Sequence, residues 1–173
     1  LQNLPPNYKT EYSCLGYILL GNWLEENFGK KLEKLVEEKI IKPYKLEGEI
    51  FFPYKNQRNK LKVAGTELGN KIEREKSNYK LKKRKSPIWG EVHDGNAFFL
   101  GGCAGNSGLF GTIDGVYKLA KIIWLDSFEG REGDYFYGLK IGGSESVFPK
   151  ETLGHTGFTG TSFCLHIKKK YIS

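Results

Sequence analysis

The order of hydrophobic patterns along the chain predicts an α+β fold. Two stretches near the start repeat apolar residues at helical spacing. Strand-like patterns gather at the end, and nowhere do helices and strands alternate as a parallel sheet requires. The 173 residues suffice for one domain or a large part of one. With 39% hydrophobic and 27% charged residues, the chain reads as globular and not disordered. No apolar run approaches the roughly 20 residues of a membrane helix. Three cysteines, Cys14, Cys103 and Cys164, are too few and too widely spaced for a disulfide scaffold or a zinc motif. Their odd count leans toward a reducing environment, but the compartment stays open. Met is absent and Leu1 comes first, so the chain is expected to be part of a longer polypeptide or a processed product.

Each element has a local reason. Residues 1–11 read as a loop around the Pro5-Pro6-Asn7 turn signal. From Ser13 to Phe28, Leu15, Ile18, Leu19 and Trp23 fall at helical spacing, and Gly29 is a C-terminal stop. Leu32, Leu35, Val36 and Ile40 predict a second helix that ends before Pro43. Residues 44–90 lack periodicity and are expected to form long connections with short regular pieces. The run 96–111 holds five glycines between Gly101 and Gly111. It lacks both the Walker ending and the dinucleotide spacing, so helix packing explains it better than phosphate binding. A third helix follows, with Thr112 or Asp114 as its cap and Val116, Leu119, Ala120 and Ile123 on one face. Residues 135–142 suggest a strand, residues 153–157 lead into another, and Thr161 to Ile167 reads as a third.

The net charge of +7 is uneven. From Lys55 to Lys85 there are twelve basic and three acidic residues, or +9, and the remainder carries 15 minus 17, or −2. Such a run is either a footprint for an anionic partner or a solvated Lys-rich excursion. Tyr79 is its only aromatic, and stacking on bases needs several, so nucleic acid is not the expected partner. Lys/Glu enrichment without Met also fits a thermophile.

Short motifs add candidate chemistry. Glu91, His93 and Asp94 could offer metal ligands or a base, but their spacing makes no recognisable metal site, and a His can equally pin a loop. His166 lies on an apolar strand and reads as structural or surface. Ser77 and Lys80 fit Ser-x-x-Lys, but they sit among like charges with no apolar face around them, and the match is read as chance.

Taken together and in order, several pieces resemble the serine β-lactamase and penicillin-binding-protein superfamily, in particular its class C-like hydrolases. Tyr12-Ser13-Cys14 and the helix after it resemble the Tyr-x-Asn box. Phe28-Gly-Lys-Lys-Leu, Ile41-Lys-Pro-Tyr, Val63-Ala-Gly-Thr-Glu67 and Gly90-Glu-Val-His-Asp-Gly-Asn-Ala97 resemble the middle of such proteins. So does Gly101–Thr112. Tyr137-Gly-Leu resembles the start of the strand region. Gly154-His-Thr-Gly-Phe-Thr-Gly-Thr161 resembles the Lys-Thr-Gly box in a His-Thr-Gly form.

The resemblance implies a partial β-lactamase/transpeptidase-like domain over residues 1–173. Residues 1–126 would be mostly helix and loop, 55–85 a basic insertion or loop, and 127–173 sheet strands. It implies acyl transfer through an acyl-enzyme on an ester, peptide or β-lactam carbonyl, with a small-molecule or peptide/cell-wall-like substrate and no cofactor. Tyr12 would be the base or proton relay, and a phenol, with an ordinary pKa of about 10, needs a cation nearby to serve as one. Cys14 stands where the family usually has Asn and would contact substrate. His155, Thr156 and Gly157 would edge the cleft, and the Phe158 N–H would be one oxyanion donor. Imidazole is often neutral near pH 7, so a His at the Lys position favours an esterase or D-amino-acid peptidase over a β-lactamase. The family's Ser-x-x-Lys precedes its Tyr box, yet none of the eleven residues before Tyr12 is a Ser. A missing segment or second chain is therefore expected to complete the site, and the chain alone is expected to be inactive. The alternative is a non-catalytic binding module that holds an anionic partner through its basic segment.

Overall fold

The structure, a computed structural model, describes residues 12–53, 63–68, 84, 87–125, 135–136, 138–142, 148–157, 159–166 and 171–172. It forms two compact units, one of Ser13–Gly115 and one of Leu1–Tyr12 with Val116–Ser173. Helices come first and an antiparallel sheet comes last, as the α+β reading expects. Among the described residues no helix is long and apolar enough to cross a membrane.

In the Ser13–Gly115 unit, helix α1 spans Cys14–Phe28. The Ser13 hydroxyl accepts from the Gly16 N–H at its start. Gly29 closes it at φ 61°, a left-handed conformation that costs glycine nothing, and returns its N–H to the Glu25 carbonyl. Helix α2 (Leu32–Val36) does not run on as α-helix to Ile40. It opens into a π-helical turn, Glu37–Ile41, in which the Lys42 N–H reaches the Glu37 carbonyl at 2.9 Å. Pro43 brings no N–H to this ladder, and helical turns continue past it, the Tyr44 N–H donating to the Ile40 carbonyl at 3.2 Å. Leu35 and Ile41 are both buried.

Two short ribbons follow. Strand β1 (Ile50–Phe51) pairs with β4 (Phe110–Gly111), and the Phe51 and Phe110 rings stack at 6.2 Å. Strand β2 (Gly65–Glu67) pairs with β3 (Ile88–Trp89), and the Trp89 indole N–H donates to the Val63 carbonyl at 2.5 Å. Helix α3, Gly95–Phe99, starts at Asp94, whose carboxylate accepts from the Ala97 N–H. The periodicity of the sequence did not reveal this helix because it is only five residues long. The glycine-rich run serves helix packing. A Cβ on Gly105 would lie 1.9 Å from the Tyr17 carbonyl oxygen, and one on Gly21 would lie 3.1 Å from the Gly105 nitrogen. Helix α1 and the turn at Gly105 thus meet backbone to backbone.

Helix α4 (Ile113–Leu125) crosses from one unit into the other, and Thr112, not Asp114, caps it by accepting from the Gly115 N–H. In the second unit Ala120 of α4 joins Leu139, Leu153 and Leu165 in a buried cluster, with Ile141 and Phe163 packed against it. Val116, expected on the same buried face, is exposed.

The sheet has the order β5 (Tyr135–Phe136), β6 (Leu139–Ile141), β7 (Thr152–Thr156), β8 (Ser162–His166), β9 (Tyr171–Ile172), antiparallel throughout. The single strand expected over 135–142 is two strands, because Gly138 at φ 78° turns the chain back on itself. Side chains alternate across β7. Leu153 and His155 share one face, while Gly154 faces the other, where a Cβ would strike the Phe148 ring at 2.7 Å.

Candidate functional site

Strand β7 carries His155 and Thr156 and turns at Gly157 into β8. The Gly157 N–H donates to the Thr161 carbonyl at 2.7 Å, and the Gly160 N–H to the Gly157 carbonyl at 3.0 Å. A side chain at Gly157 would stand 2.5 Å from the Thr161 hydroxyl, and Gly160 sits at φ 88°, so both glycines are built into the turn. In register, His155 lies opposite Phe163 and Thr156 opposite Ser162. The described pairing of β6 with β7 ends at Gly154, so the His155–Gly157 stretch lies beyond it.

Tyr12, far away in sequence, belongs to the same unit. Its ring centroid is 5.5 Å from that of His155, with the planes inclined at 60°. Tyr12 is 44% exposed and His155 partly buried, so the pair borders solvent. A phenol and an imidazole can each donate and accept a hydrogen bond. Thr156 and Gly157 are exposed beside them along the chain. Cys14 is the exposed first residue of α1, in the other unit. Phe158, Ser77 and Lys80 lie outside the described residues.

A second polar cluster lies wholly within the Ser13–Gly115 unit. His93 Nε2 meets the Glu67 carboxylate at 2.5 Å, tying the loop after β3 to β2. Asp94 is occupied as the α3 cap. Arg84 is 8% exposed. Its guanidinium donates to the Val92 carbonyl at 2.6 Å and to the His93 carbonyl, and it lies over the Phe98 ring at 4.6 Å. The loop-pinning role open to His93 therefore has a partner, whereas Arg84 is a correction. It belongs to the basic run, yet it is an internal clamp and neither a solvated charge nor part of a charged footprint. Charge patterning cannot reveal this, because the carbonyls that hold Arg84 carry no signal in the sequence. The rest of the 55–85 run, apart from 63–68, lies outside the described residues. His166 is buried on β8, opposite Thr152.

Comparison with solved structures defines the class: the chain has a penicillin-binding-protein-like fold. The octameric penicillin-binding protein homologue from Pyrococcus abyssi matches with a TM-score of 0.59 at 20% identity, over 96% of this chain and 38% of that one. Two curated proteins are similar in sequence. One, from Escherichia coli (strain K12) and provisionally named a D-alanyl-D-alanine carboxypeptidase, is 30% identical over 90% of this chain and 42% of its own length. The other, the N-acetylmuramyl-L-alanine amidase of Bacillus subtilis (strain 168), is 29% identical over 93% of this chain and 43% of its own. The chain thus spans less than half the length of the curated relatives it matches. No model of a known protein family matches it.

Proposed function

We propose that the chain is part of a class C-like serine hydrolase that transfers an acyl group from a cell-wall-type peptide, with a D-amino-acid peptidase or esterase specificity. The observation that carries this reading is the apposition of Tyr12 and His155, two residues that the family resemblance assigns to one catalytic cleft. The names of the relatives, a D-alanyl-D-alanine carboxypeptidase and an N-acetylmuramyl-L-alanine amidase, both concern amide-type bonds and favour the peptidase over the esterase.

In this reading a serine hydroxyl from polypeptide outside residues 1–173 attacks the substrate carbonyl. Its proton passes to the Tyr12 oxygen, held as the phenolate by a cation from that same outside polypeptide, and from the phenol so formed to the leaving amine as the C–N bond breaks; water then hydrolyses the resulting ester by the same route in reverse. His155 orients the Tyr12 phenol and receives the substrate's carboxylate side. Thr156 and Gly157 line the edge, and the Phe158 N–H is an oxyanion donor. Cys14 remains a candidate substrate contact by its place in the Tyr-x-Asn-like box.

The test is intact-mass spectrometry of the protein from the complete reading frame after incubation with penicillin or a fluorophosphonate. A stoichiometric adduct on a serine, slowed by Tyr12→Phe, supports the reading, and no adduct with either reagent overturns it. A second reading, a non-catalytic binding module, draws on the basic excess of residues 55–85, which is +8 with the buried Arg84 set aside. It requires salt-dependent binding to an anionic polymer that is lost on neutralising Lys82, Lys83 and Lys85, with the structural Arg84 left in place.

A further inference from the structure

The end of the β7–β8 hairpin has two distinct sides. The Gly160 N–H returns to the Gly157 carbonyl, and Gly160, left-handed at φ 88°, supplies the bulge after which the Thr161 carbonyl accepts from the Gly157 N–H. Gly157 and Thr161 thus continue the register that pairs Thr156 with Ser162 and His155 with Phe163. Side chains alternate along a strand, and directly paired residues share a face. Thr156 and Ser162 therefore lie on the side of Gly154, where the Phe148 ring packs. His155 and Phe163 lie on the other side, and Tyr12 joins them through its ring contact with His155. Thr161 falls on this His155 side. Its hydroxyl stands 2.5 Å from the point that a Cβ on Gly157 would occupy, so it takes the side-chain place that the glycine leaves bare. Both residues are exposed.

We infer that Thr161 is a specificity-determining residue of the proposed site, its hydroxyl donating to the substrate carboxylate that His155 receives. The inference rests on the proposed function for that carboxylate. Diagonal neighbours across an antiparallel pair, as His155 and Thr161 are, stand about 7–8 Å apart, close enough for one carboxylate to span their side chains. A hydroxyl bond to a carboxylate is charge-assisted and among the stronger hydrogen bonds. An imidazole brings a charge only when protonated, whereas a hydroxyl donates in either case. Thr156, the neighbour of His155 in sequence, has its own hydroxyl on the opposite side of the sheet.

The test uses the protein from the complete reading frame and two probes, N-acetyl-D-alanine and its methyl ester. Binding is followed by the imidazole NMR signal of His155, assigned with His155→Gln. Thr161→Val keeps the branched shape and removes the hydroxyl. It weakens N-acetyl-D-alanine about tenfold and the methyl ester less than about twofold. Thr161→Ser stays within about threefold of wild type for the acid, as does Ser162→Ala on the other side of the sheet. A damaged fold would weaken both probes alike, so the difference between them reads the hydroxyl and not the packing. Four results overturn the inference: unchanged acid binding in Thr161→Val, equal losses for the two probes, a serine variant as weak as the valine one, or no response of the His155 signal to either probe. The hydrolase reading is judged separately, by acylation. Thr161-dependent binding of the acid without any acylated serine leaves the carboxylate contact standing and removes the hydrolase reading. An acylated serine with unchanged acid binding in Thr161→Val does the reverse.

Discussion

The Tyr12 ring stands 5.5 Å from the His155 imidazole, although one precedes the first helix and the other lies in the middle strand of the final sheet. If the pair moves a proton, removing the phenol oxygen should cost rate and not fold. In the complete protein Tyr12→Phe is expected to slow acylation by at least about a hundredfold. Because Tyr12 is 44% exposed, stability should stay within about 0.5 kcal/mol of wild type. Stopped-flow acylation with a chromogenic penicillin or ester, set beside urea unfolding, separates the two effects. An unchanged rate would remove Tyr12 from the mechanism.

The second test concerns the charge presented by β7. Replacing His155 by Lys adds a permanent cation beside Tyr12. For substrates bearing a carboxylate next to the scissile bond, KM should fall roughly tenfold, the worth of one charge-assisted hydrogen bond. For uncharged esters it should not change. Equal effects on both substrate types would mean that His155 does not face the carboxylate.

Arg84 offers a stability test with no catalytic content. Arg84→Ala leaves the carbonyls of Val92 and His93 without the guanidinium and opens space over Phe98. The expected loss is about 2–4 kcal/mol in urea unfolding. Lys82→Ala, a charge change of the same sign in the same run, serves as the comparison. Equal effects from the two would place Arg84 back among the ordinary surface charges.

Glycine substitutions separate close approach from backbone strain. Gly105→Ala puts a methyl into the Tyr17 carbonyl and should cost roughly 3 kcal/mol. Gly29→Ala meets no atom within 4 Å and bears only the strain of φ 61°, about 1–2 kcal/mol. Thermal melts of the two variants should rank them in that order, and the reverse order would contradict the α1–Gly105 contact.

One carboxylate gives a signed dependence on pH. Burial acts to raise the Glu25 carboxyl, but the Leu32 N–H at 2.8 Å and the Lys31 ammonium at 2.9 Å outweigh it, and the group sits below the ordinary carboxylate value. A carboxyl whose folded-state pKa is depressed favours the folded state above the unfolded-state value of about 4.3, and that contribution fades as pH falls through the folded value. Wild type should therefore lose more stability than Glu25→Gln between about pH 6 and about pH 3. Parallel urea-midpoint curves for the two proteins would contradict this.

Local chemistry made much of this chain legible. The hydroxyl of Ser13 and the conformational freedom of Gly29 bound α1 because both act within one turn of the helix. The placement of Ala120 on the buried face of α4, and the strands around Leu153 and Leu165, follow from side-chain periods of 3.6 and 2. The α+β class follows from the order of those patterns. Tertiary structure alone decided the rest. Whether Arg84 is a surface charge or an internal clamp depends on carbonyls that every residue possesses and on Phe98, so no pattern of residue types announces it. The backbone contact of Gly21 with Gly105 depends on how α1 meets a turn far along the chain. The family resemblance could assign Tyr12 and His155 to one cleft, but only folding sets a distance between them, because side-chain proximity across that much sequence belongs to the topology of the chain and not to its local propensities.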